Sequence, residues 1–291
     1  MRLNKNIETI IGCEKEYDAA NVVIFGAPFD STASYRPGAR FASKTMRTES
    51  YNMETYSPYL DLDLESDTKI FDGGELSVSL GDTQKTLDII YEFSKNLLMD
   101  HKLPFMIGGE HLVTLGAFRA VAEKYPDVHI IHFDAHADLR DEFLETPFSH
   151  ATVLRRCYDK IGDGRIFQFG IRSGEKTEML WGKKHVQMHL FDFAGLDKVL
   201  DKLHDKPIYF TVDLDVLDPA VFPGTGTPEA GGVTFDELRL AMQAVAKLNI
   251  VGTDMVELSP PCDLSGVSTT VALKLLREFL LALVGNDHLN K

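Results

Sequence analysis

Cysteine is scarce in this sequence, and what there is lies scattered. Cys13, Cys157 and Cys262 are the only three in 291 residues. Their number is odd and their spacing matches no metal-binding motif. That argues against a disulfide framework or a thiolate metal site, and they read as reduced thiols in a cytoplasmic protein. Basic residues are also in short supply: 30 Lys and Arg face 44 Asp and Glu, for a formal charge of −14. A nucleic-acid partner would want a basic face, so that class is set aside. The acidic balance serves solubility and mildly favours a cationic substrate by steering. No apolar run is long enough to span a bilayer, and residues 1–20 lack an apolar signal core, so no membrane attachment is expected. Internal repeats, low-complexity tracts and linkers are missing too, which makes residues 1–291 a single expected domain.

What the chain does have is a long alternation of strand and helix signals. Short apolar runs over 21–26, 69–74, 103–107, 128–133, 165–169, 185–189, 207–212 and 250–256 read as strands, the second as an edge strand. Between them, helical spacing or cap residues predict helices over 43–54, from Asp82 through Leu98, over 112–124, up to about 160, over 194–204, from Thr234 to about 247 and over 268–283. Strict alternation predicts an α/β fold with one parallel sheet covered by helices on both faces. In such sheets ligands bind outside the carboxyl ends of the strands.

The polar residues that follow those strands are unusual. Asp134, His136 and Asp138 stand at alternate positions directly after the run ending in Phe133. If the extended backbone continues, their side chains share one face. His111 follows another strand through Gly108-Gly109-Glu110, and Asp213 and Asp215 follow the strongest one. Taken one at a time, each has a bland reading as a cap, a turn residue or a solvated acid. Together they put four carboxylates and two imidazoles at strand ends of one sheet. Such a cluster is costly without cations, and its size suits two divalent ions with shared carboxylates. The oxygen-rich donor set favours Mn²⁺ over Zn²⁺. Two adjacent ions lower the pKa of a shared water and hold it for attack.

Glu257 ends the last strand and suits a planar cation, since a guanidinium fork matches a carboxylate. Asp218, before Pro219, reads as a turn residue. His129 and His132, inside a strand, read as packed or surface side chains, and His150 as a loop histidine.

These motifs resemble the ureohydrolases, the arginase and agmatinase family. The resemblance runs over nearly the whole chain, through Ser34-Tyr35-Arg36-Pro37-Gly38-Ala39-Arg40-Phe41, Gly108-Gly109-Glu110-His111, Asp134-Ala135-His136-Ala137-Asp138, Asp213-Leu214-Asp215-Val216-Leu217-Asp218-Pro219, Gly224-Thr225-Gly226-Thr227-Pro228 and Val256-Glu257-Leu258-Ser259-Pro260. It implies a three-layer α/β/α, arginase-like fold with a central sheet of about eight parallel strands. It also implies two Mn²⁺ ions, one held by His111, Asp134, Asp138 and Asp213, the other by Asp134, His136, Asp213 and Asp215. The family reaction is attack of a metal-bridging hydroxide on a guanidinium carbon, releasing urea and an amine. By the same resemblance Asp138 accepts a hydrogen bond from the nucleophile, His150 shuttles protons or orients substrate, and Glu257 grips the guanidinium. Relatives form trimers or hexamers, which makes a homo-oligomer the expectation.

Substrate choice turns on the loop after Asp138. Arginases carry there an Asn that reads the amino-acid head group, and this chain has Leu139 and Arg140. Asp141, Glu142 and Glu145 suit a terminal ammonium, which favours agmatine, hydrolysed to putrescine and urea in polyamine biosynthesis. Arg140 is expected to face outward, because inside the pocket it would welcome a carboxylate instead. The competing readings are an arginase or guanidinobutyrase, a two-metal phosphoesterase and a non-catalytic metal-binding protein.

Overall fold

The β-branched and aromatic runs of the chain become the middle of one large sheet. The computed structural model describes residues 8–284. Its strands are β1 (Val22–Gly26), β2 (Tyr56–Ser57), β3 (Leu62–Asp63), β4 (Ile70–Glu75), β5 (Leu103–Ile107), β6 (His129–Phe133), β7 (Ile166–Ile171), β8 (Gln187–Leu190), β9 (Pro207–Asp213) and β10 (Asn249–Val256). Eight of them form a single sheet in the order β4-β1-β5-β10-β9-β6-β7-β8. Every pairing in that sheet is parallel. The antiparallel pair β2–β3 stands apart. As the sequence suggested, β4 is an edge strand, and its partner β1 is buried along its whole length.

The helices are α1 (Ala42–Ser50), α2 (Leu64–Asp67), α3 (Thr83–Met99), α4 (Thr114–Lys124), α5 (Val153–Ile161), α6 (Lys176–His185), α7 (Leu196–Leu203), α8 (Phe235–Val245) and α9 (Val267–Val284). Successive strand residues point to opposite faces, so two cores form. Phe210 and Val212 of β9 join one core with α1, α7, α8 and α9. Tyr209, just before Phe210 and on the opposite face, joins the other core with α3, α4 and α5. The result is the three-layer α/β/α arrangement the sequence implied.

Asp82 caps α3 through the Lys85 amide at 3.0 Å, and Thr234 forms a reciprocal cap with Glu237 at the start of α8. The helix α6 and the pair β2–β3 were not expected. In α6, Met179, Leu180 and Trp181 are consecutive and Gly182 follows, so no spacing of three or four marks a buried face. Its start is instead fixed by a cap in which Glu175 and Glu178 satisfy each other's amides.

Candidate functional site

The four neighbouring strands β5, β10, β9 and β6 end side by side, and each turns sharply there. After β5 the chain passes so close to the Phe29 carbonyl that a Cβ on Gly109 would sit 1.9 Å from its oxygen, a space glycine alone accepts. Glu110 is then anchored to the amide and hydroxyl of Thr32, and His111 opens a 3₁₀ turn. After β6 the extended backbone stops at Phe133. Asp134 accepts the His136 amide, and Asp138 adopts a left-handed conformation with φ 53°. After β9, Asp213 accepts the Asp215 amide at 2.8 Å at the start of another 3₁₀ turn. The expected sharing of one face by alternate residues is therefore replaced by tight turns in which an aspartate holds an amide two residues on.

Those turns bring all six candidate side chains together. His111 Nδ1 lies 3.0 Å from Asp134 Oδ2, 3.2 Å from Asp138 Oδ2 and 3.3 Å from Asp213 Oδ2. His136 Nδ1 lies 3.0 Å from Asp215 Oδ2 and 3.5 Å from Asp134 Oδ1. Asp134 thus turns one oxygen toward each imidazole. Five of the six are buried, and His136 is the partly exposed one.

The protonation of His111 decides what this cluster fits. Thr211 donates its single hydroxyl proton to Asp254 Oδ1 at 2.6 Å, and Asp254 Oδ2 takes the Tyr209 hydroxyl at 2.6 Å. Thr211 can then only accept from His111 Nε2, 2.9 Å away. With the proton on Nε2, Nδ1 carries a lone pair, and it has no hydrogen-bond partner although it is buried. A buried lone pair facing three carboxylate oxygens is repulsive, so without an ion, and despite its burial, Asp134, Asp138 and Asp213 raise the His111 pKa well above its usual range and draw a proton onto it. A cation among them converts every one of those contacts into attraction, with Thr211 and Asp254 orienting the imidazole from behind.

The electrostatics agree. Burial raises the Asp213 carboxyl well above its usual range, and Asp215 and Asp134 add to the shift. Burial, then the charge of Asp134, pushes Asp138 up to about 7. Asp134 goes the other way, because His132, His111 and His136 together outweigh its own burial. Burial also raises Glu257, with Glu110 adding to it. Bound dications supply the positive charge that protons would otherwise bring to such a cluster.

Glu257, at the end of β10, also has a left-handed backbone, φ 66°, and its Oε1 accepts the His111 amide at 2.7 Å. It lines a narrow cleft with His150, Arg36, Gly226 and Thr227. Arg36 ties that cleft together by donating to the Thr225 carbonyl at 2.6 Å. His150 lies 3.0 Å from the Ser34 hydroxyl and also lines a second cavity, of about 200 Å³, with His136, Asp138, Arg140, Phe143 and Glu178. Burial, helped by His136 and His111, drives the His150 pKa down to about 4.

Two expectations about the loop are corrected. Asp141, Glu142 and Glu145 are exposed and do not line the cavity, and Asp141 pairs with Arg156 at 2.7 Å. Arg140 does not turn away. It forms part of the cavity wall, 3.1 Å from Glu175 and 3.5 Å from Glu178, with its guanidinium over the Phe143 ring. The sequence reading also missed Glu178, Thr211 and Asp254, which carry no motif of their own, and gave Thr227, inside the 224–228 motif, no role. Asp218 is the turn residue expected, holding the Ala220, Gly231 and Gly232 amides.

The Arginase family profile matches residues 20–282. An agmatinase of Bacillus anthracis is 46% identical over 282 residues, 95% of this chain and 97% of that protein. A mitochondrial guanidino acid hydrolase of Homo sapiens is 33% identical over 285 residues, 91% of this chain and 79% of that protein. The crystal structure of a candidate agmatinase from Clostridium difficile superposes with a TM-score of 0.90 at 52% identity, covering 93% of this chain and 99% of that one. Strand order, turn geometry and these likenesses agree, and the chain belongs to the arginase family.

Proposed function

We propose that this protein is an agmatinase, which hydrolyses agmatine to putrescine and urea at a pair of manganese ions. The observation that carries the metal centre is the orphaned His111 Nδ1 among three carboxylate oxygens. His111, Asp138, Asp134 and Asp213 would hold one ion, and Asp134, His136, Asp213 and Asp215 the other. When bound, such ions polarise the substrate and lower the pKa of a water between them.

The chain's own residues supply the rest. Glu257 has one oxygen engaged by the His111 amide, and its Oε2 looks toward Gly226, where a Cβ would stand 3.8 Å away. That oxygen accepts guanidinium N–H groups, and the charge-assisted pair orients the planar cation. Asp138 would accept a hydrogen bond from the nucleophile side, with a carboxylate kept ionised by the ion it helps to hold. His150 is held neutral, so it adds no repulsion toward a cationic substrate, and its imidazole orients the substrate or relays a proton.

The preference for agmatine rests on the cavity wall. Two carboxylates, Glu175 and Glu178, face one guanidinium, Arg140. Glu178 shares the wall with Arg140, and Glu175 pairs with the same guanidinium from outside the lining, so the Arg140 charge is neutralised and an ammonium at the far end of the substrate meets no repulsion. A guanidino acid is the second reading, favoured by Arg140 itself if its side chain leaves the two glutamates. Urea release from agmatine, arginine and 4-guanidinobutyrate with Mn²⁺ present separates the two. Higher kcat/KM on either acid than on agmatine overturns the agmatine assignment.

Trimeric or hexameric assembly and a cytoplasmic setting belong to the same reading. Light scattering and cell fractionation test them. Among the described residues no helix is long and apolar enough to cross a membrane.

A further inference from the structure

The histidine two residues before Asp134 is buried completely, in the middle of the sheet, and the sequence reading gave it no task. His132 Nε2 lies 2.8 Å from Asp134 Oδ2, the oxygen that also faces His111. On the other side of its ring, Nδ1 lies 3.0 Å from Gln168 Nε2, which also donates to the Ala137 carbonyl at 2.7 Å. Donor atoms of His111, His132 and Asp134 lie within 4.8 Å of one another, so His132 has the position of a third nitrogen ligand.

Gln168 decides against that. Turning its amide over would set an oxygen against the Ala137 carbonyl oxygen, with no proton between them. Gln168 therefore presents an N–H to both acceptors. His132 Nδ1 accepts, so its proton is on Nε2 and is donated to Asp134. A nitrogen that carries a proton aimed at a carboxylate has no lone pair for an ion.

We propose that His132, with its tautomer set by Gln168, is a positioning residue that fixes the Asp134 carboxylate between His111 and His136. The same amide holds the Ala137 carbonyl, so one side chain steadies both ends of the Asp134 to Asp138 turn. Asp134 stands with its oxygens divided between two imidazoles, and a rotation about its Cβ–Cγ bond would spoil both halves of the centre at once. The hydrogen bond from His132 prevents that rotation. The inference rests on the metal-centre reading above.

The test measures Mn²⁺ binding by titration calorimetry and Mn²⁺-induced thermal stabilisation in the full chain. The wild type comes first: if it binds no Mn²⁺, the metal-centre reading fails, and this inference with it. His132→Phe keeps a ring against His111, whose centroid is 5.1 Å away, and removes both hydrogen bonds. It should weaken Mn²⁺ binding about 10- to 100-fold, the usual effect of losing a group that orients a ligand. Two ions should still bind per chain at saturation, and KM for agmatine under those conditions should stay unchanged. Gln168→Met, which frees the tautomer, should shift affinity in the same direction by a smaller factor. If His132→Phe does not fold, Gln168→Met decides. Wild-type affinity in the folded variants overturns the proposal. A stoichiometry reduced to one ion makes His132 a ligand and also overturns it. A loss of thermal stability that is equal with and without Mn²⁺, at unchanged affinity, reduces His132 to core packing.

Discussion

The protein buries charge in two places and treats it in opposite ways. Beside α1 and α9 the buried charges are paired off. Arg47 grips Asp72 through both Nε and Nη2, and Asp72 also takes the Ile10 amide at 2.8 Å. Arg277 lies 2.7 Å from Glu278, donates to the Glu54 carbonyl, and leaves Glu278 to accept the Ser57 hydroxyl at 2.6 Å. At the carboxyl ends of β5, β6 and β9, four aspartates meet two imidazoles, and one imidazole nitrogen has no partner. Two residues of the site, Asp138 and Glu257 at the end of β10, also hold left-handed backbones that ordinary side chains avoid. Balanced buried charge belongs to the scaffold. Unbalanced and strained buried charge marks the place where something else must bind.

Single substitutions sharpen that contrast. The largest expected effect is at Asp134. Asp134→Ala should reduce urea release from agmatine to background and abolish tight Mn²⁺ binding. The metal-free protein should lose some stability too, because the His132 N–H and the His136 amide lose their acceptor, but Mn²⁺ should no longer raise the melting temperature. A melting temperature that still rises with Mn²⁺ as in the wild type would place Asp134 with the scaffold instead. Arg277→Met should do the reverse. Leaving Glu278 buried and unpaired should cost about 3–5 kcal/mol of unfolding free energy. The kcat/KM per folded molecule should not change. Urea denaturation alongside steady-state kinetics reads both, and a loss of turnover without a loss of stability would break the distinction. Glu257→Gln comes next. It keeps the shape and removes the charge, so KM for agmatine should rise about 10- to 100-fold, in line with roughly 1.5–3 kcal/mol for a charged hydrogen bond. Bound Mn²⁺ should stay at the wild-type amount.

The contrast was half legible in the sequence. The buried runs revealed the sheet because parallel strands need apolar residues on both faces. The six site residues stood out because each lies within a few residues of the end of such a run. The supporting shell did not stand out. His132 and Thr211 sit inside strands, where a polar residue looks like an exception to the core and gives no sign of its partner. Asp254 is far from Thr211 in the chain and meets it only through the pairing of β9 with β10. Glu178 lies on a helix whose apolar residues have no helical spacing. The glycine-rich stretch 224–228 has no packing pattern, yet Gly226 and Thr227 line the cleft beside Glu257. The acidic loop misled for a related reason: a local excess of Asp and Glu does not say which way they point, and they point to water.

Arg140 is where the two treatments of charge meet, and its removal should have the smallest effect. It is a cation in the functional region that the scaffold's method has neutralised, by pairing with Glu175 and Glu178. Arg140→Met would leave Glu178 unpaired on the cavity wall and Glu175 unpaired beside it, and make the region more negative, so agmatine should gain over 4-guanidinobutyrate. The gain is limited from two sides. Glu175 is largely exposed and screened by water, and pairs of that kind contribute about 0.2–1 kcal/mol, roughly a 1.5- to 5-fold change in the ratio of kcat/KM values. Glu178 is mostly buried, its carboxyl is already raised chiefly by that burial, and Arg140 is one of the groups that hold it down. Without the guanidinium it takes up a proton more readily and gives back part of the added charge. The ratio should therefore move toward agmatine only slightly, and less as the pH falls and Glu178 takes up a proton. A ratio that moves toward the guanidino acid would mean that Arg140 repels nothing in the wild type and that the far end of the substrate lies elsewhere.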